Sequence, residues 1–164
     1  MPTLTELNQI SQAAFTDTLG AVFEDTPEIA TRAWLQRPFT DIHHLHQVMG
    51  EIMHRLSDPE QMALIQAHPD LGSRLKMADA SVKEQASVGL DQLTQQEYHQ
   101  FVTLNQAYRA KFGFPFIIAV RNHTRASILQ AFQQRLDNAI ALEKATAMAE
   151  ILKIAWFRLK DLVN

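Results

Sequence analysis

Cysteine is absent from this 164-residue chain. That absence removes disulfide frameworks, thiolate zinc sites, iron–sulfur clusters and cysteine nucleophiles together, and it suits a reducing, cytoplasmic setting. Glycine and proline are scarce, at 5 and 6 residues, so few points interrupt a helix. No apolar run approaches the roughly 18 residues of a spanning helix. The opening MPTLTELNQI has neither a basic n-region nor an apolar h-region, so neither secretion nor membrane insertion is expected. A basic excess is missing as well: 15 Lys plus Arg face 18 Asp plus Glu, which argues against nucleic acid as a partner. There is no H-E-x-x-H, no Gly-rich phosphate loop and no G-x-S-x-G, so hydrolase triads and nucleotide chemistry find no support. What is present is a globular mixture, 46% hydrophobic and 20% charged. A chain of this length buries about two-thirds of its unfolded surface without help from disulfides or a structural metal. One domain over residues 1–164 is expected.

Apolar residues recur at three and four rather than two, which predicts an all-α, single-domain bundle of about eight helices. A first helix is read from Thr3 to Leu19. A second starts at Pro27 with Thr26 as N-cap and is limited by Pro38. A third covers Asp41 to Leu56, with Ile42, Leu45, Met49, Ile52, Met53 and Leu56 inward. The helix from Pro59 must end before Pro69, because the residue preceding a proline is pushed out of the α region. After an irregular stretch, Ser81 and Glu84 read as a capping box opening a short helix that Gly89 closes. Thr94 and Glu97 repeat the device for a long helix ending at Gly113. Phe114–Val120, FPFIIAV, is apolar, β-branched and carries a proline, so it reads as a short buried extended segment. Helices over Thr124–Leu136 and Asn138–Val163 complete the chain.

Five groups could carry chemistry. His68, caught between a helix end and Pro69, has a constrained backbone and an imidazole that can either act on a ligand or cap the preceding helix. In the group Ser81, Glu84 and Gln85, a capping box accounts for Ser81 and Glu84 with no ligand, yet a helix N-terminus can also receive a polar ligand. Arg158 falls near the apolar stripe of the last helix and needs a partner there, either an internal carboxylate or a ligand carboxylate or carbonyl. Arg121 poses the same question closer to solvent. His43, His46 and His54 lie within about 80° of one another on a helical wheel. They flank the apolar sector, so a solvated edge is the preferred reading over a metal site, and no metal is expected. The FPFIIAV backbone is either core or a set of N–H and C=O groups for a flat, amide-rich ligand.

Taken together, LGAVFEDTPEIATRAWLQRPF (residues 19–39), AHPDLG (67–72), EQASVGL (84–90), LNQAYRAKFGFPFIIAVR (104–121) and the terminal KIAWFRLKDLV resemble the OHCU decarboxylase family over nearly the whole chain. HPDLG, then EQxxxGL, then FGFPFIIAVR, in this order and spacing, carry most of the resemblance. It implies an all-α lyase that needs no cofactor and decarboxylates 2-oxo-4-hydroxy-4-carboxy-5-ureidoimidazoline to (S)-allantoin in urate breakdown. A homodimer with one pocket per subunit is implied too. The family's histidine falls on His68 and its carboxylate on Glu84. Its ligand contacts fall on Pro69, Ser81, Gln85, Phe116, the backbone of Ile117, Ile118 and Ala119, and Arg158. The chain departs from the family pattern at Thr26-Pro27-Glu28, at Val88 and at Trp156-Phe157. Two rivals remain: a non-catalytic helical interaction module, and a metal hydrolase built on His43, His46 and His54.

Overall fold

A computed structural model gives the fold and describes residues 1–75 and 77–164. Among them are nine α-helices, one 3₁₀ turn and no strand, an all-α architecture as expected. The chain divides into two compact units, Met1–Ala67 with Leu152–Asn164, and His68–Ile151.

The first unit holds α1 (Leu4–Leu7), α2 (Gln12–Leu19), α3 (Glu28–Trp34), α4 (Ile42–Arg55), α5 (Asp58–Gln66) and the second half of α9 (Ile140–Leu162). The single helix expected over Thr3–Leu19 is in fact two. Ser11 adopts an extended conformation and its hydroxyl accepts from the Ala14 N–H, which starts a new helix. The carbonyls exposed by the break find donors: Trp34 gives its indole N–H to Ile10 at 3.0 Å, and Arg37 donates to Asn8 at 2.8 Å. Thr26 is not the cap of α3 either. Its hydroxyl donates to the Glu24 carbonyl, and Pro27 holds the N-cap position without a side-chain bond. Asp41 caps α4 by accepting from the His44 N–H, as its position predicts. The buried set is Leu7, Phe15, Leu19, Ile29, Leu45, Met49, Met53, Ile65, Ala155 and Leu159, with α2 packed on α3 and α3 on α4.

The second unit holds α6 (Asp79–Ser87), α7 (Gln95–Phe112), a 3₁₀ turn (Val120–Asn122), α8 (Arg125–Arg135) and the first half of α9. The capping box of α7 forms as predicted. The Thr94 N–H and hydroxyl hold the Glu97 carboxyl below its ordinary range, and Gly113 takes the left-handed conformation (φ 77°) that ends the helix. Residues 114–120 are all buried; 114–119 are non-helical, with Ala119 extended, and the 3₁₀ turn begins at Val120. Their side chains complete an aromatic core. Phe116 stacks on Phe132 at 3.8 Å between ring centroids, and Tyr108 meets Phe116 edge-on at 5.3 Å. Each fully buried phenylalanine contributes about 2 kcal/mol through burial alone.

The capping box at Ser81 and Glu84 is absent, which corrects the sequence reading. Helix α6 starts earlier, at Asp79, with Ala78 as an N-cap that makes no side-chain bond. Ser81 and Glu84 therefore lie inside the helix. An S-x-x-E spacing also puts two residues on one helical face, and here that second consequence holds.

Candidate active site

The second unit begins with the turn from His68 to Ser73. Helix α5 stops at Gln66, before Pro69 could clash with it, and His68 follows as a buried residue, 6% exposed. Gly72 sits at φ +70°, a left-handed backbone that favours glycine, and a Cβ there would push aside the Leu93 Cδ1 methyl at 2.8 Å. Side chains from two helices hold the turn. The Gly72 N–H donates to Gln85 Oε1 at 3.0 Å, and Gln85 Nε2 reaches the Asp70 carbonyl at 3.5 Å. From α7, Asn105 Nδ2 donates to the Leu71 carbonyl at 3.0 Å, and Arg109 Nε pairs with Asp70 Oδ1 at 2.9 Å.

Ser81, Glu84 and Gln85 occupy one face of α6, spaced three and four apart, and all three are buried. Because Gln85 is bonded to Gly72, this polar face is turned toward the His68–Gly72 turn. Helix α6 also packs against the 3₁₀ turn Val120–Asn122, at the exit of the extended segment. Two charged side chains hold the backbone of that segment. Arg135 Nη1 donates to the Ile117 carbonyl at 2.7 Å, and the Ala119 N–H donates to Glu150 Oε1 at 3.4 Å. Arg135 is itself paired with the fully buried Glu143 at 2.8 Å and lies over the Phe116 ring. Glu143 also accepts from the Tyr108 hydroxyl at 2.6 Å and from Asn138 at 3.0 Å. Burial, reinforced by this bond to a carboxylate, pushes the Tyr108 hydroxyl far above its ordinary pKa of 10.0.

The second unit thus contains His68, Pro69, Ser81, Glu84, Gln85, Phe116, Ile117, Ile118 and Ala119 of the sequence-derived candidates. Arg158 belongs to the first unit, where the structure realises the internal-pair alternative. Its Nη1 lies 2.8 Å from Glu24 Oε2 and donates to the Ala21 carbonyl at 3.2 Å, with both charged side chains buried. Arg121 is exposed on the 3₁₀ turn. The α4 histidines serve different ends. A His46 ring nitrogen bonds the Leu152 carbonyl at 2.8 Å, His43 stacks on Trp156 at 4.5 Å, and His54 is exposed. Among the described residues no three His, Cys, Asp or Glu side chains gather around a common point.

Sequence reasoning missed Glu24, Asn105, Arg135, Glu143 and Glu150. Arg158 signalled that a buried partner must exist, but Glu24 lies in a loop where helical periodicity carries no information. Asn105 was visible as a polar residue interrupting the α7 stripe between Phe101 and Tyr108.

His68 and Glu84, an imidazole and a carboxylate of the kinds that acid–base chemistry uses, are both buried in the second unit of this all-helical chain. The sequence profile of the OHCU decarboxylase family matches residues 8–160, and the chain belongs to that family. It is 44% identical over 160 residues to the 2-oxo-4-hydroxy-4-carboxy-5-ureidoimidazoline decarboxylase of Halalkalicoccus jeotgali, covering 98% of this chain and 91% of that protein. It is 43% identical over 164 residues to the uric acid degradation bifunctional protein PucL of Bacillus subtilis, of whose length it spans 33%. A crystal structure of an (S)-allantoin synthase superimposes with a TM-score of 0.78 at 29% identity, covering 98% of this chain and 54% of that one.

Proposed function

We propose that this protein decarboxylates 2-oxo-4-hydroxy-4-carboxy-5-ureidoimidazoline (OHCU) to (S)-allantoin in urate degradation, with His68 and Glu84 as its catalytic groups. The observation that supports the reading is a buried histidine on a turn tied through Gln85 to the helix face that carries Ser81 and Glu84. The substrate carbon that loses CO₂ bears a hydroxyl and adjoins a C=N bond. When the C–CO₂ bond breaks, its electron pair forms a C=C bond and the imine electrons move to nitrogen, which takes up a proton. The substrate supplies its own electron sink, so the step draws on no cofactor. His68 moves the hydroxyl proton as the enol becomes a carbonyl, and the ureido-bearing carbon is protonated on one face, which sets the S configuration.

Glu84 and Gln85 hold the hydroxyl and ureido groups. Ser81, Pro69 and the backbone of Ile117, Ile118 and Ala119 contact the ring and ureido carbonyls, and Phe116 with its apolar neighbours excludes water while charge moves. Arg158 belongs to this reading through the family resemblance alone. A homodimer and a cytoplasmic location are part of the same proposal, the second favoured by the lack of cysteine.

The test is OHCU consumption by the purified protein and by His68→Asn and Glu84→Gln variants. His68→Asn is expected to lose about 10²–10⁴-fold in kcat, the usual contribution of a positioned general acid–base, with helical circular dichroism unchanged. A folded His68→Asn variant with full activity would refute the assignment.

A further inference from the structure

Asn105 is 5% exposed and stands in the apolar stripe of α7, between Phe101 and Tyr108. A buried amide there is costly unless both of its ends are bonded. Only one end is: Nδ2 donates to the Leu71 carbonyl at 3.0 Å, while Oδ1 has no hydrogen-bond partner among the described residues. The orientation is fixed by chemistry, since a carbonyl can only accept and the nitrogen must face it. An apolar side chain of the same size would fill this position without a buried orphan oxygen. What the asparagine adds is the bond to Leu71.

That bond acts on the turn that carries His68. Pro69 fixes its own φ, Gly72 is tied to Gln85, and Leu71 is tied to Asn105. Asp70 is the one residue between Pro69 and this clamp, and Arg109, one turn along α7 from Asn105, holds its carboxylate at 2.9 Å. We infer that Asn105 is a positioning residue for His68: its amide anchors the Leu71 carbonyl so that the turn presents the imidazole in one orientation. Asp70–Arg109 is a half-exposed surface pair and contributes little by comparison. This inference rests on the reading of His68 as the proton-transfer group.

The decisive variant is Asn105→Leu in the full chain, which keeps the branched shape and number of side-chain heavy atoms, removes the donor and also removes the unpartnered oxygen. A residue serving only packing would leave kcat alone. A positioning residue gives a protein of equal or higher Tm whose kcat falls about 10–100-fold while KM stays within about threefold, as expected when a reacting group loses its geometry. In a His68→Asn background the same substitution is expected to change the residual rate by less than about twofold, because residues acting through one another are not additive. Asn105→Ala supplies a second folded variant if leucine is not accommodated. NMR of ring-labelled histidine provides a readout independent of turnover: the His68 signal shifts or broadens in Asn105→Leu and keeps its position in Arg109→Ala. Full kcat in a folded Asn105→Leu protein overturns the inference, as does a lowered kcat with an unmoved His68 signal. If the unmutated protein fails to consume OHCU, the functional reading falls, and the NMR comparison still decides whether Asn105 orients His68.

Discussion

Two stretches of non-helical backbone in the second unit meet the same physical demand by different means. The turn His68–Ser73 and the extended segment 114–120 both run among helices, and both take hydrogen bonds from helix side chains in place of a ladder. The segment is wholly buried and held by charge: Arg135 on the Ile117 carbonyl, backed by Glu143, Tyr108 and Asn138, and Glu150 at the Ala119 N–H. The turn is partly exposed and held by neutral amides, Gln85 and Asn105, with one surface ion pair. A charged buried network fails expensively when one member is lost, because the remaining charge stays in a medium that cannot solvate it. Neutral single bonds fail cheaply and locally. On the proposed reading the segment is a stability element that also forms a wall of the site, and the turn serves to orient one side chain.

This contrast can be broken most severely at Glu143. Glu143→Ala leaves the largely covered Arg135 without its carboxylate and is expected to cost about 2–4 kcal/mol, somewhat below the cost of halving a fully buried pair, measured by urea unfolding. A loss below about 1 kcal/mol would mean that the segment is not held by charge. Gly72→Ala comes next. It forces a left-handed φ on alanine and drives its Cβ toward Leu93, so a cost of about 1–3 kcal/mol is expected, with a fall in kcat because the turn itself must move.

Tyr108 gives a pH-dependent arm. Its hydroxyl is held protonated in the folded state by burial and by Glu143, whereas in the unfolded chain it ionises near its ordinary value of 10.0. A raised folded pKa contributes stability that is fully present below pH 10 and declines as pH rises beyond it, since only the unfolded state releases the proton. Stability measured between pH 8 and 11 should fall above pH 10, and the fall should be shallower in Tyr108→Phe; identical profiles would remove the segment's network from the account. The smallest effect is expected at Arg109→Ala, which breaks the half-exposed pair with Asp70. It should cost no more than about 1 kcal/mol and less than about threefold in kcat. A larger loss of activity would transfer the anchoring role from Asn105 to the ion pair.

How far the sequence could be read follows from the range of each signal. Thr94 and Gly113 were legible as caps because a cap is decided by a few adjacent residues, and Asp41 and Thr124, read as the first residues of their helices, prove to be N-caps. The break at Ser11 was not, since apolar spacing continues across it and the donors that stabilise it, Trp34 at the end of α3 and Arg37 just after it, are distant in the chain. Helix α6 was misplaced because its true N-cap, Ala78, has no capping side chain, while Ser81 and Glu84 imitate a box that would begin one turn later. The end of α5 before His68 was legible from Pro69, and the non-helical character of 114–119 from its branched residues and proline. The partners were hidden: Arg158 finds an acceptor 137 residues away at Ala21, and nothing local announces it.

The central claim is that this family member forms (S)-allantoin at a site built on His68. Its most direct test is the circular dichroism of allantoin formed when urate is oxidised with urate oxidase and hydroxyisourate hydrolase, alone, with this protein, or with His68→Ala. A persistent (S)-allantoin signal that accumulates quickly only with the unmutated protein is the predicted result. A signal that decays identically in all three mixtures would contradict the account.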